Sequence, residues 1–540
     1  MNQAVTLIAA FSLTTAVALA APQKSAPEAH PPESAAAPAN IFAADRAVRS
    51  TGSVTVEGHK IDYDAVAGTI VVHPKGWDDA AKASAKDTLG TADGPPVASM
   101  FYVAYFKKGA DPHNRPVTFL YNGGPGSSTI WLHMGAFGPV RVVTSNDSHT
   151  PPAPYGAINN TYSLLDASDL VFIDAPGTGY SRIEGKDKGQ AFWGVDQDGY
   201  AFSSFITRFL SKYQRWNSPK YLFGESYGTP RSAVVINQLE TDRDIDFNGV
   251  ILLSQVLNLD LMADVPQGNP GVELPYEIEL PTFAATAWYH HKLGSQPADF
   301  DGFMQEVEQF AMGDYADALA QGASLPADQF NAIADKLHDY TGLPVAYIKK
   351  ADLRVSGPEF EHELQNDADL DTGRLDTRFS GPTMDPLGEA AEYDPQAASI
   401  GSAYVSVFND YARRSLHYTT DQTYEPEIDL WTTWEWKHQP PDAPFKLSGA
   451  VNVMPDLATA MKYDPDLKIC LNGGYFDLAT PFFQGMYEMH HLQIPERLQS
   501  NIEYHYYKSG HMVYANEVSL KQLHDNVAVF IRNNANRAGE

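Results

Sequence analysis

Short apolar runs and one amphipathic pattern alternate through the first half of the chain. Buried-type strands are predicted at 117–121, 169–174, 220–223 and 249–254. Between the second and third runs, apolar residues recur at the i, i+3, i+4 spacing of a helix face, at Ala201, Phe202, Phe205, Ile206, Phe209, Leu210 and Tyr213. The alternation of strand, helix and strand predicts a parallel sheet.

The remaining runs extend this sheet at both ends of the chain. Alternating or apolar runs at 53–57, 69–73 and 99–105 predict antiparallel first strands of a mixed sheet. The alternation stops after Asn258 and resumes with strands at 467–471 and 502–507 and a helix at 517–533. We therefore interpret 50–258 and 456–540 as two parts of one α/β core, with 259–455 as a mostly helical cap that includes helices at 326–340 and 402–416.

The first 45 residues have a different composition. Residues 4–20 are apolar and end in Ala18-Leu19-Ala20, a small-x-small cleavage pattern, which predicts a signal peptide over 1–20. Residues 21–45, rich in Ala, Pro and Ser, are interpreted as a disordered linker. The single cysteine, Cys470, excludes an intrachain disulfide and a Cys-based metal cluster. An exported protein without disulfides indicates a periplasmic or secreted bacterial protein.

Charge narrows the range of partners. The formal net charge is −29, from 67 acidic and 38 basic residues, which argues against nucleic acid or, after signal removal, an anionic membrane as partner. The acidic run 367–373 is not a calcium loop, because its glycine falls at position seven and Arg378 stands at position twelve. No cofactor or metal is predicted, and nothing in the sequence indicates an oligomeric state.

Gly224-Glu225-Ser226-Tyr227-Gly228 lies between the predicted strand 220–223 and a predicted helix. This G-x-S-x-G pattern is typical of a nucleophile elbow, in which a sharp strand-to-helix turn exposes the serine oxygen. The flanking glycines are required because a Cβ would collide with the neighbouring strand and helix. The sequence therefore predicts Ser226 as a nucleophile.

A nucleophilic serine needs an acid and a base, which follow in the order Ser, Asp, His in doubly wound hydrolases. Asp477 comes directly after the strand 467–471, and His511 directly after the strand 502–507. Both are at the carboxyl ends of predicted strands, where such a fold places its active site. Asp464 and Asp466 are alternatives, but they precede their strand and would lie at the opposite edge of the sheet.

The segment Asn122-Gly123-Gly124-Pro125-Gly126-Ser127-Ser128 follows the strand 117–121. A glycine-rich turn lets backbone N–H groups approach a substrate closely, as an oxyanion hole requires. Gly124 and Tyr227, the residue after the nucleophile, are the predicted donors.

Five motifs in order resemble the serine carboxypeptidases of the carboxypeptidase Y-like group, over about residues 115 to 515. They are residues 122–128, 135–139, 177–181, 224–228 and 510–512. The resemblance implies an α/β-hydrolase fold and cleavage of a peptide substrate at its C-terminus through an acyl-enzyme. It also implies a triad of Ser226, Asp477 and His511, with Asn122 and Glu225 binding the terminal carboxylate of the substrate.

Two positions depart from the family pattern. A tryptophan of the family is replaced by Leu120, and the glutamate that shares a proton with the equivalent of Glu225 is replaced by Ala136. Either another group assists Glu225 or a free C-terminus is recognised less well. An esterase or acyltransferase on the same scaffold therefore remains the alternative, with a non-catalytic binding protein as a further one.

Overall fold

The structure is a computed structural model that describes residues 40–77, 88–449 and 451–535. The predicted signal peptide and most of the predicted linker lie outside these ranges. The last part of that linker is packed in the described structure, since the Asn40 amide donates to the Leu89 carbonyl oxygen and Asp45 Oδ1 accepts from the Val71 N–H. Within the described ranges no helix has the length and apolar character needed to cross a membrane.

A ten-stranded sheet forms the centre of the molecule. Its strands are β1 (Arg46–Val56), β2 (His59–Val72), β3 (Val97–Lys107), β4 (Val117–Tyr121), β7 (Asp169–Ile173), β8 (Arg182–Glu184), β9 (Lys220–Glu225), β10 (Gly249–Leu253), β13 (Lys468–Gly474) and β14 (Ile502–Tyr507). Two small antiparallel pairs stand apart from it, β5 (Val140–Val142) with β6 (Ala157–Asn159) and β11 (Leu370–Thr372) with β12 (Ser380–Pro382).

The strand order is β1-β2-β3-β7-β4-β9-β10-β13-β14, and β8 pairs with β3. From β7 to β14 all neighbours are parallel, whereas β1, β2, β3 and β7 are joined antiparallel. This mixed, mostly parallel sheet flanked by helices is an α/β-hydrolase fold, as predicted. The first strands are longer than the sequence pattern indicated, and β1 begins at Arg46.

The α-helices lie on both faces of the sheet and in the cap. They are α1 (Lys188–Phe192), α2 (Val195–Tyr213), α3 (Gly228–Arg243), α4 (Leu274–Tyr289), α5 (Phe300–Phe310), α6 (Ala316–Gln321), α7 (Ala327–Thr341), α8 (Val345–Lys350), α9 (Gly357–Glu363), α10 (Pro395–Arg414), α11 (Met454–Tyr463), α12 (Phe482–His490), α13 (Glu496–Gln499) and α14 (Glu517–Asn533). Short 3-10 turns occur at Leu164–Asp166, Leu259–Leu261, Pro266–Gly268, Gly322–Ser324, Asn366–Ala368 and Val513–Ala515, and π-helical turns at Leu132–Phe137 and Ala311–Tyr315.

Apolar residues cover both faces of the sheet. One core includes residues of α2, α3 and α11, and the other includes residues of α10 and α14. The predicted amphipathic face of 201–213 is buried in the first of these cores. Because both faces are covered, the parallel strands are apolar along their whole length rather than alternating.

The cap has its own core, to which α4, α5, α7 and α9 contribute. Phe476 from the loop after β13 and Phe482 at the start of α12 belong to this core, so the cap packs directly on the part of the chain that carries Asp477. Residues 415–453 do not continue the helical pattern. As far as this segment is described it holds no α-helix, and we call its part 424–436 the strap.

Candidate active site

Ser226 lies in a strained turn between β9 and α3. Its φ angle is +59°, a left-handed conformation that side-chain-bearing residues rarely adopt. A Cβ added at Gly224 would lie 2.1 Å from the Gly228 carbonyl oxygen, so glycine is required there. The Ser226 N–H donates to the Leu253 carbonyl oxygen at the end of β10, at 3.0 Å, which ties the turn to the neighbouring strand. These are the features of a nucleophile elbow.

Asp477 and His511 form a buried pair on the loops after β13 and β14. His511 Nδ1 lies 2.8 Å from Asp477 Oδ2. Thr480 donates to the same carboxylate from its backbone N–H at 3.0 Å and from its hydroxyl at 2.8 Å. Asp477 is fully buried, and Thr480 and the imidazole are the hydrogen-bond partners of its carboxylate among the described residues. With Nδ1 bound to Asp477, Nε2 is the ring nitrogen left for a substrate-side proton.

The ionisation of His511 depends on this pair. Burial lowers the pKa of the imidazole, but the charge and hydrogen bond of Asp477 raise it more, so the pKa lies above its usual value. A nearby carboxylate, Glu225, acts in the same direction. His511 is thus a stronger base than a free histidine, as the acceptor of a serine proton needs to be.

The glycine-rich loop after β4 lies against the elbow. A Cβ at Gly123 would be 2.3 Å from the Tyr227 backbone nitrogen, so this loop and the amide of Tyr227 are in close contact. Gly124 has a φ angle of +106° and lines the same cavity as Tyr227. The structure therefore brings the two predicted oxyanion donors to one wall, on adjacent loops.

Arg231 holds this loop in place and was not identified from the sequence. From α3, its Nη1 donates to the Asn122 carbonyl oxygen at 2.6 Å, and its Nε donates to Asp198 Oδ2 at 2.6 Å. The guanidinium is 4.4 Å from the centre of the Phe202 ring. The sequence shows only an arginine shortly after the elbow, which reveals neither its burial nor its partners.

The strap covers the outside of the glycine loop. Ser128 donates from its N–H to the Pro426 carbonyl oxygen at 2.8 Å, and Ile428 donates to the Gly126 carbonyl oxygen at 2.9 Å. Trp434 donates from its indole nitrogen to the Tyr227 hydroxyl at 3.1 Å. The strap thus fixes both sides of the predicted oxyanion hole through backbone and side-chain hydrogen bonds.

Glu225 has a different partner from the one that the family pattern supplies. Glu225 is only 2% exposed, and the Tyr514 hydroxyl lies 3.0 Å and 2.9 Å from its two carboxyl oxygens. A Cβ at Gly135 would lie 2.7 Å from the Tyr514 ring, so this phenol packs on the turn that carries Ala136. A tyrosine near the C-terminus thus contacts the carboxyl group that Ala136 leaves without a glutamate.

Burial dominates the ionisation of Glu225. It raises the pKa of the carboxyl to about 7, although His511, Tyr514 and Asn122 each act to lower it. Near neutral pH, Glu225 therefore exists as a mixture of protonated and ionised forms. A protonated carboxyl can donate a hydrogen bond to a substrate carboxylate, whereas an ionised one repels it.

These residues surround a cavity of about 530 Å³. Of the predicted site residues, those that line it are Asn122, Gly124, Glu225, Ser226, Tyr227 and His511. Asp477 is not a lining residue and contacts the cavity through His511. Three tryptophans, Trp131, Trp431 and Trp436, contribute apolar walls. A cavity of this size with a few convergent polar groups is typical of a small-ligand site.

Outside the cavity, one group of neighbouring side chains consists of residue types that can bind a metal ion. Among the described residues, Cys470, Glu503 and His505 place ligand atoms within 4.8 Å of one another, on β13 and β14. Cys470 is buried and burial raises the pKa of its thiol to about 12, which disfavours the thiolate that a metal binds. None of the three lines the cavity around Ser226.

Comparison with known proteins gives a partial match. Residues 90–262 match the family model described as serine carboxypeptidase. Serine carboxypeptidase-like 36 of Arabidopsis thaliana is 27% identical over 31% of this chain and 34% of its own length. P-(S)-hydroxymandelonitrile lyase of Sorghum bicolor is 29% identical over 28% of this chain and 28% of its own.

The matches span about a third or less of the length of these curated relatives. Among solved structures, proline iminopeptidase of Mycobacterium smegmatis aligns over 90% of this chain and 99% of its own, with 12% identity and a TM-score of 0.32. The matched segment contains the glycine-rich loop, the elbow and the strands between them. Over residues 90–262 this chain is therefore similar to the serine carboxypeptidase family.

Proposed function

We propose that this protein is a serine carboxypeptidase, which removes the C-terminal residue of a peptide through an acyl-enzyme. The observation that carries the proposal is the arrangement around one cavity. A serine on a strained elbow, a histidine paired with a buried aspartate and a glycine-rich loop meet at the carboxyl ends of the strands. The match of residues 90–262 to the serine carboxypeptidases supports it.

In the first half of the proposed reaction, Ser226 Oγ attacks the carbonyl carbon of the last peptide bond. His511 Nε2 takes the hydroxyl proton as the C–O bond forms, and Asp477 stabilises the imidazolium. The N–H groups of Gly124 and Tyr227 donate to the oxyanion of the tetrahedral intermediate. The C–N bond then breaks, and His511 returns the proton to the amine of the departing amino acid.

In the second half, water replaces the departed amino acid. The water oxygen attacks the ester carbonyl of the acyl-enzyme while His511 takes a proton from the water. The same two N–H groups stabilise the new oxyanion. The C–O bond to Ser226 breaks, the serine oxygen recovers its proton from His511, and the shortened peptide leaves as an acid.

The choice of a C-terminal residue is assigned to Asn122 and Glu225. Both line the cavity, and Glu225 is the residue directly before Ser226. A protonated Glu225 can donate to the terminal carboxylate of the substrate, while Tyr514, whose hydroxyl contacts both carboxyl oxygens, holds the carboxyl group in place. In this proposal Tyr514 assists Glu225 where the family pattern uses a glutamate.

An esterase or acyltransferase on the same scaffold is the second candidate. The observation that favours it is Ala136, which removes the usual carboxyl partner of Glu225. Such an enzyme would use the same Ser226, His511 and Asp477 but would not require a free carboxylate on the substrate. A non-catalytic binding protein is the third candidate, and it would form no acyl-enzyme.

One peptide offered as a free acid and as a C-terminal amide separates these candidates. We expect the acid to be cleaved with a kcat/KM at least about tenfold higher, because hydrogen bonds to a charged group are worth roughly 1.5–3 kcal/mol. Release of the last residue is measured by mass spectrometry, with a simple ester as a third substrate. Equal cleavage of acid and amide would contradict the exopeptidase proposal, and hydrolysis of the ester alone would favour an esterase.

The preference for a free acid should weaken as the pH rises through about 7. Burial places the pKa of Glu225 at about 7, so above this pH the carboxyl is ionised and repels the substrate carboxylate. We expect the acid-to-amide ratio of kcat/KM to fall roughly tenfold between pH 6 and 8, as the protonated fraction falls. Titration of His511 affects both substrates and cancels in the ratio.

Replacing Tyr514 with phenylalanine tests the assignment of this transition. The substitution removes a donor that stabilises ionised Glu225, so the midpoint should move to higher pH by about one unit. Tyr506→Phe is the matched control, since it removes another largely buried tyrosine hydroxyl that has no contact with Glu225. A midpoint unchanged in Tyr514→Phe would exclude Glu225 as the titrating group.

Export is also part of the proposal. It is supported by the apolar run 4–20 with its small-x-small ending and by the absence of cysteine pairs in the sequence. The proposed partner at the site is the C-terminal end of a peptide. The proposal involves no nucleic acid, metal or cofactor.

A further inference from the structure

Arg374 brings a cation to the cavity that none of the steps above uses. It follows β11 in the cap, and it is the only lysine or arginine among the described residues that line the cavity around Ser226. It also lines a neighbouring cavity of about 620 Å³, together with Leu259, Met262 and Trp431. Arg374 therefore lies where the two cavities meet.

The backbone around Arg374 is joined to both loops of the candidate triad. The Arg374 carbonyl oxygen accepts from the Leu478 N–H at 3.0 Å, next to Asp477. The Leu375 carbonyl oxygen accepts from the His511 N–H at 2.6 Å. These hydrogen bonds fix the backbone of this cap segment relative to the loops that carry Asp477 and His511. The Cα of Arg374 is therefore held beside the proposed reacting groups.

One end of the guanidinium is already occupied. Asp264 accepts from Nε at 2.5 Å and from Nη2 at 2.7 Å, in a side-by-side ion pair. The side chain is still 31% exposed, and its hydrogen bonds to the described residues come from Nε and Nη2, which leaves Nη1 without a partner among them. Arginine carries five N–H donors in a planar fork, so the Asp264 pair leaves donors for a second acceptor.

The surrounding charges limit what this acceptor can be. Asp264, Glu361 and Asp394 all act on Arg374 electrostatically, and Glu427 also lines the cavity. A distant anion would therefore feel little net attraction. A ligand gains binding free energy from Arg374 only if its own oxygens contact Nη1 directly. A carboxylate has the geometry for such a charge-assisted hydrogen bond.

We propose that Arg374 binds a carboxylate of the peptide substrate. This inference rests on the proposed peptidase function and names a specificity-determining residue for it. The carboxylate comes from one of two sources, the C-terminus of the substrate or an acidic side chain on the residue before the cleaved bond. Both present the same planar group to the cavity, and substrate pairs distinguish them.

The test measures two ratios of kcat/KM in the full-length protein and in Arg374→Gln. The first compares a peptide acid with its amide, and the second compares glutamate with glutamine at the residue before the cleaved bond. We expect one of these ratios to fall by about 10- to 100-fold in Arg374→Gln, chiefly through KM, and the ratio that falls identifies the source. If both ratios equal those of the unaltered protein, the inference is wrong.

Two controls separate substrate contact from loss of the ion pair. Asp264→Asn breaks the same pair but keeps the guanidinium, so the ratio that falls in Arg374→Gln should be preserved or increased. Arg354→Gln breaks a matched two-point pair with Glu273 elsewhere in the cap and should leave both ratios unchanged. Equal losses in Asp264→Asn and Arg374→Gln would make Arg374 a structural residue only.

Failure of the proposed function looks different from failure of this inference. If the unaltered protein cleaves none of the peptides, the peptidase proposal fails. If it cleaves them with a clear preference that Arg374→Gln retains, only the inference fails. Thermal unfolding of each variant shows that the folded protein is being compared.

Discussion

Replacing Ser226 with alanine should lower kcat for peptide hydrolysis by roughly 10⁴- to 10⁶-fold, the range found when a serine nucleophile is removed. The substitution deletes the oxygen that forms the acyl-enzyme but leaves the cavity, His511 and the two N–H donors in place. Residual turnover then comes only from water activated in the cavity. Binding of the substrate should persist, so kcat falls and KM changes little.

The elbow offers a matched control for this loss. Ser232 is one turn further along α3, and its hydroxyl is buried against the Tyr121 hydroxyl and the Gly228 carbonyl oxygen. Ser232→Ala removes a serine hydroxyl from the helix that follows the elbow, outside the cavity, and should keep kcat within about fivefold. A fluorophosphonate probe should label the unaltered protein and not Ser226→Ala.

Two results would contradict the assignment of Ser226. Near-normal turnover in Ser226→Ala would mean that another group is the nucleophile. Failure of the probe to label the folded, unaltered protein would favour the non-catalytic binding protein.

Replacing Asp477 with asparagine should lower kcat by about 10⁴-fold, as the corresponding change does in other Ser-His-Asp enzymes. Asparagine presents an amide N–H or a neutral oxygen to His511 Nδ1. The imidazole is then free to take the wrong tautomer, and its positive form loses the charge that stabilises it. Because Asp477 raises the pKa of His511, that pKa should fall in the variant.

The measurement is kcat/KM against pH, for which the acid limb reports the free-enzyme base. We expect the limb of Asp477→Asn to move to lower pH as the rate falls. Asp466→Asn is the control, because Asp466 is an exposed acid that precedes β13 at the opposite edge of the sheet. Equal losses in both variants, or an unshifted acid limb in Asp477→Asn, would argue against Asp477 as the orienting acid.

The strap does not only cover the cavity but also helps to fix the position of the glycine-rich loop. The glycine-rich loop is held from inside by Arg231 and from outside by the strap. Oxyanion donors act efficiently only when they are fixed before the charge develops. Rigid support from both sides therefore suits the role proposed for Gly124 and Tyr227.

The sequence by itself is sufficient to identify a site residue when its role depends on local backbone geometry or on the direction of the strand before it. Gly224 and Gly228 mark the elbow because the turn forbids a Cβ. Asp477 and His511 could be selected because the carboxyl ends of parallel strands meet at one edge, so residues just after two such strands come together. The helices predicted at 326–340 and 517–533 correspond to α7 and α14, since their periodicity is intrinsic.

Only the tertiary structure decided the partners that are distant in the chain. The pattern showed that Ala136 leaves Glu225 without its glutamate, but not that Tyr514, 289 positions away, lies beside the carboxyl. Likewise, nothing near Arg374 in the sequence reveals its contact with the two triad loops. The strap has no helical or strand period, and many of its backbone hydrogen bonds are made to loops distant in the chain, at Gly126, Ser128, Gly179 and Trp193. Local periodicity indicates which face of a helix or strand is buried. Which distant side chain contacts a given residue depends on packing between elements, and this packing leaves no pattern along the chain.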